Sequence, residues 1–122
     1  MKLFLLLGVL NGFLAVALGA FGAHGLEGKV SEKMLAIWEK AVTYQMFHTV
    51  GLLVTGLLLA KFQVGALMTA GWFFFIGIIL FSGSLYIYSP TGIKTFAMIT
   101  PLGGVAFLIG WIFLGYAITK VI

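Results

Sequence analysis

His24, His48, Ser82, Ser84 and three glutamates are the side chains of this sequence with the most chemistry to offer, and their spacing leaves few options. His48 with Ser82 or Ser84 would pair a base with a nucleophile. Such a pair needs an acid to orient the imidazole, and Glu27, Glu32 and Glu39 all lie together in one other segment. His24 and His48 would have to share a metal across a depth difference of roughly 10 Å, with no cysteine and no well-placed carboxylate to complete four ligands. No catalytic residue, metal or cofactor is therefore expected. The lack of cysteine also removes disulfides and thiolate chemistry.

The elements that carry these residues are set by composition. Of 122 residues, 62% are hydrophobic and 8% charged, outside the range of water-soluble domains, so the solvent is lipid. Seven Lys and three Glu divide the single domain, residues 1–122, into apolar runs. These are spans of about 3–23, 41–60, 62–88 and 96–119, each near bilayer length at 1.5 Å per helical residue. Lipid offers no hydrogen-bond partner to bare backbone, so each run is helical. Short connections around Lys61 and Ser89-Pro90-Thr91-Gly92 make neighbours antiparallel. The expected fold is all-α: an antiparallel bundle of four transmembrane helices, with an amphipathic interfacial helix between the first two.

That interfacial segment, residues 24–40, holds all the Glu and three Lys. Ser31 is a candidate N-cap, and Met34, Leu35, Trp38, Ala41 and Val42 repeat at helical steps, with Trp38 expected at head-group level. The opening Met-Lys and apolar run resemble a secretory signal peptide. The run is longer than a typical signal core, so it is read as a retained span. The positive-inside rule barely votes, three Lys on the side of the termini against four on the other. The first helix often dominates insertion, and Lys2 and the terminal amine precede it while three Glu accompany the Lys after it, so both termini are expected in the cytoplasm of a cell membrane. Scattered Lys at the ends of apolar runs suit anionic head groups rather than nucleic acid. Gly8, Gly12, Ala15, Gly19 and Gly22 form one stripe on the first helix, and Gly103, Ala106, Gly110 and Ala117 a second on the last. Small residues let helix backbones approach closely, within the bundle or between two copies.

Polar groups within a span are costly enough to mark an interface or a site. Measured from the side of the long loop, Gln45 and His48 lie about 7 and 12 Å deep, Ser84 and Ser82 about 6 and 9 Å, and Thr100 about 7 Å. His24 marks the mouth of the first helix. These groups suggest a polar layer in one leaflet, the other half being drier, with Asn11 near the middle beside the glycine stripe. Thr55, Thr69 and Thr119 can bond to their own helices. The plainer alternative is that Gln, Ser and Thr simply make interhelical hydrogen bonds worth about 1 kcal/mol each. Pro101 is expected in the first turns of the fourth helix, where a missing amide does least harm.

Four segments then read as a set: Gly19-Ala20-Phe21-Gly22-Ala23-His24-Gly25, Tyr44-Gln45-Met46-Phe47-His48, Phe81-Ser82-Gly83-Ser84-Leu85-Tyr86 and Ile99-Thr100-Pro101-Leu102-Gly103-Gly104. Together they resemble the domain of unknown function 423 family, to which the vertebrate transmembrane protein 256 is related. The resemblance covers essentially the whole chain. It implies a four-span bacterial inner-membrane protein of unassigned biochemistry and supplies no catalytic residues. All four motifs border the polar layer, so the candidate site is His24, Tyr44, Gln45, His48, Ser82, Ser84 and Thr100.

Three functions compete. The first is a non-enzymatic component that binds membrane lipid, a small amphiphile or a partner protein, including a second copy, and supports membrane integrity. The second is a small transporter or channel with His48 as its only deep titratable group. The third, an intramembrane enzyme, lacks an oriented base.

Overall fold

A computed structural model describes residues 2–122. Four helices are long and apolar enough to cross a membrane: α1 (Leu3–Leu26), α2 (Glu32–Lys61), α3 (Gly65–Thr91) and α4 (Lys94–Val121). No strand occurs among the described residues.

The helix ends follow local chemistry. Ser31 is extended and its hydroxyl accepts from Met34 N at 3.2 Å, capping α2, with Glu32 in the first turn. The amphipathic segment runs straight into the second span, α2 continuing unbroken to Lys61. Phe62 and Val64 are extended, so α3 starts at Gly65 rather than at Phe62. Ser89, Pro90 and Thr91, expected in a connection, close the last turn of α3, and the chain turns at Gly92. Gly92 is left-handed, φ 69°, which a residue with a Cβ adopts only at a cost, and its N–H reaches Tyr88 O at 2.7 Å. Pro101 lies well inside α4, which begins at Lys94, so it removes the helical donor to Ala97 O.

Two π-helical stretches interrupt the regular winding: Gly22–Leu26 ends α1 and Ile78–Gly83 sits within α3. At the second, α4 comes so close that a Cβ on Gly103 would lie 2.3 Å from Phe81 N and 2.7 Å from Leu80 C. α1 lies along α2, α4 lies along α3, and α2 meets α3 between them, while the backbones of α2 and α4 stay apart and meet mainly through aromatic side chains.

Packing is the main force between helices in lipid, because lipid tails are as apolar as leucine. Here aromatic rings sit on glycines. Phe4 of α1 covers Gly71 and Phe74 of α3 lies between Gly51 and Gly110, while Phe107 of α4 covers Gly77. These rings join Leu52, Leu67 and Leu114 in the buried core. The first glycine stripe faces α2: a Cβ on Gly8 would meet Leu53 at 2.6 Å, on Gly19 Val42 at 3.3 Å and on Gly22 Trp38 at 2.4 Å. Gly12 has ordinary room beside Thr49, 3.5 Å, and Ala15 is buried. The second stripe faces α3 through Gly103 and Gly110.

Candidate functional site

The polar side chains sort into separate clusters rather than one pocket. On the α1 side Gln45 is the hub. Its amide donates to Asn11 Oδ1 at 2.9 Å and its carbonyl accepts from the Tyr86 hydroxyl at 2.6 Å, while Asn11 donates to Leu7 O at 2.8 Å. One amide thus ties α1, α2 and α3 together, with Gln45 only 3% exposed. Asn11, assigned by sequence to the drier half, is therefore part of the same layer. Trp38 belongs there too. It is buried between helices, donates from Nε1 to Leu18 O at 2.8 Å, and meets the Tyr86 ring at 4.7 Å.

The serines divide between helices. Ser82 donates to Ala41 O of α2 at 2.7 Å, whereas Ser84 lies 2.6 Å from the Thr100 hydroxyl of α4. Two residues along a helix differ by about 200°, so neighbouring serines at the same depth must face opposite ways. Ser89 makes a further α3 to α2 bond, to Met34 O at 2.6 Å. Thr55, Thr69 and Thr119 each donate to a carbonyl of their own helix. Among the described residues, every buried side-chain nitrogen and oxygen has a partner.

His48 is one turn from Gln45 on α2, but its interhelical partner lies on α4. Trp111 of α4 donates from Nε1 to His48 Nε2 at 2.9 Å, and His48 Nδ1 lies 2.7 Å from Tyr44 O. Indole N–H can only donate and a carbonyl can only accept, so the imidazole proton sits on Nδ1. The ring stacks on Phe107 at 3.5 Å and 9°. Sequence reasoning missed Trp111, Tyr86 and Ser89 as partners. A deep imidazole and two deep amides each demanded one, and that demand was the available signal.

Beside the His48–Trp111 bridge, the gap between α2 and α4 opens as a hollow of about 440 Å³. Tyr44, Phe47, His48, Phe107, Leu108 and Trp111 line it, so it is largely aromatic. Tyr44 is 41% exposed and lies flat on Phe81 at 4.4 Å. Along the same gap towards the long loop is a second hollow of about 380 Å³, lined by Lys40, Phe81, Leu85, Ala97, Thr100 and Pro101 among others. Of the candidate residues, Tyr44, His48 and Thr100 reach this cleft. Gln45, Ser82 and Ser84 are held among the helices, and His24 is exposed in the π turn ending α1. Among the described residues no three His, Cys, Asp or Glu converge as a metal site would need.

Four apolar helices joined by short turns, without a strand among the described residues, define an integral membrane protein of the multi-span α-helical class. The chain belongs to the family described as a protein of unknown function (DUF423), whose model matches residues 18–104. It is 54% identical to the UPF0382 membrane protein YwdK of Bacillus subtilis, over 98% of each chain. UPF0382 membrane proteins of Staphylococcus epidermidis and Staphylococcus aureus are 53% and 54% identical, again over 98% of each chain. No solved structure matches. The family agrees with the resemblance carried by the four motifs.

Proposed function

We propose that this protein is a non-enzymatic component of the cell membrane that holds the chain of a lipid or small amphiphile in the cleft between α2 and α4, and through it supports membrane integrity. Both termini face the cytoplasm in this reading. The observation that carries it is the aromatic hollow of about 440 Å³ beside the His48–Trp111 bridge. It lies on a seam where two helices of a tightly packed bundle stay apart. Hollows of a few hundred Å³ with apolar walls and few polar groups are the usual form of small-ligand sites. A second copy or another membrane protein would compete for the same seam.

Binding is preferred to transport because both nitrogens of His48 are engaged, so a proton could use it only after breaking the contact to Trp111 or Tyr44. It is preferred to catalysis because Ser82 and Ser84 bond to Ala41 O and Thr100, away from the imidazole's partners.

Gly104 provides the test. It lines the hollow, and a Cβ there would find only Phe81 Cδ2, at 4.0 Å. Gly104→Leu fills the space while improving helix propensity by about 0.5–1 kcal/mol. Protein purified in mild detergent should carry lipid visible by native mass spectrometry, and Gly104→Leu should lose most of it at an unchanged melting temperature. Equal lipid on both proteins would contradict the proposal.

A further inference from the structure

We infer that the amphiphile is an anionic phospholipid, its phosphate beside Lys40 and one acyl chain running past Tyr44 towards Trp111. This deepens the cleft reading and depends on it. The two hollows lie in sequence along one seam, that of about 380 Å³ bounded by Lys40, Thr100 and Pro101 and that of about 440 Å³ by Tyr44, Phe107 and Trp111. Tyr44 and Phe81, stacked at 4.4 Å, stand where they meet.

Their heights match the two parts of a lipid. Lys40 and Lys61 are both exposed on α2 and twenty-one residues apart, about 31 Å along a helix, the thickness of a hydrocarbon core. Thr100 and Lys120 on α4 are twenty residues apart, about 30 Å. With Lys61 and Lys120 at one boundary, Lys40 falls at the other, and Thr100, six residues into α4 from Lys94, lies just inside it. The charged hollow therefore sits at head-group level and the aromatic hollow just inside the core.

Charge selects the head group. Lys40 is the charged residue lining the cleft, and a neutral amphiphile would leave it unused. Pro101 takes the helical donor from Ala97 O, and both residues line the same hollow, which adds an acceptor for a head-group hydroxyl. At the opposite boundary, the hollow of about 270 Å³ between α2 and α3 is lined by Leu59, Gln63, Val64, Gly65 and Met68, with no charge. Volume and positive charge coincide at the Lys40 end.

The experiment titrates delipidated full-length protein in neutral detergent with phosphatidylglycerol and phosphatidylcholine of matched chains, read by native mass spectrometry. The parent should prefer phosphatidylglycerol by about five-fold, the effect of one lysine near an anionic lipid. Lys40→Gln should remove that preference and still bind phosphatidylcholine. Lys61→Gln, which removes an exposed charge at the opposite end of α2, should keep it. Gly104→Leu should weaken both lipids. No preference in the parent, or equal effects of Lys61→Gln and Lys40→Gln, would overturn the head-group assignment and leave the cleft intact. A parent that binds neither lipid would overturn the cleft reading itself.

Discussion

The two sides of α2 use polarity in opposite ways. Towards α1 and α3, Asn11, Gln45 and Tyr86 hydrogen-bond to one another in one buried chain, and glycines bring the backbones together. Towards α4, α2 keeps its distance, and a single polar bridge, His48 to Trp111, crosses a gap walled by rings. In a bilayer a satisfied polar group is a lock, because its alternative is an unpaired group in hydrocarbon. Vacancy, not polarity, marks where a ligand can enter. A layer of polar residues at one depth thus proves to be several locks beside one open seam.

The sharpest way to break the contrast is at Gly103. Gly103→Leu would push a side chain into the backbone of Phe81 and Leu80, and neither can yield as a flexible side chain would. Overpacking commonly costs about 1–3 kcal/mol, and this site should exceed that, giving protein that fails to survive extraction in detergent. Gln45→Leu comes next, leaving the Tyr86 hydroxyl and Asn11 amide without their partner, and should cost about 1–3 kcal/mol in a reversible unfolding measurement. Adding Asn11→Leu to it should cost less than the sum of the two single changes, as members of one network behave. Trp111→Phe should be milder, about 0.5–1.5 kcal/mol, since it removes one hydrogen bond at a place already loosely packed. Gly104→Leu should be neutral or slightly stabilising. Were Gly104→Leu as damaging as Gly103→Leu, the cleft would not be open space.

Much of this was legible in the sequence. Lysines placed the helices because charge is excluded from hydrocarbon, and the stripe from Gly8 to Gly22 announced a close contact, here with α2. Single-helix periodicity says which residues share a face but not which helix that face meets. Ser82 and Ser84, two residues apart, had to face opposite ways, but only the structure shows that one meets α2 and the other α4. The type and depth of Trp38 do not by themselves show that Gly22 gives its indole room against α1 or that Leu18 O accepts its N–H. The π-helical stretch at Ile78–Gly83 has no sequence signature, yet it is where Gly103 lets α4 come closest to the α3 backbone.

The decisive measurement is photo-crosslinking with a phospholipid that carries its reactive group midway along one acyl chain, followed by mapping of the labelled residues. Label concentrated on Tyr44, Phe47, Leu108 and Trp111 is the expected result. Label spread evenly over the exposed outer face of α1, at Val9, Phe13 and Val16, with no excess between α2 and α4, would contradict a lipid-holding cleft.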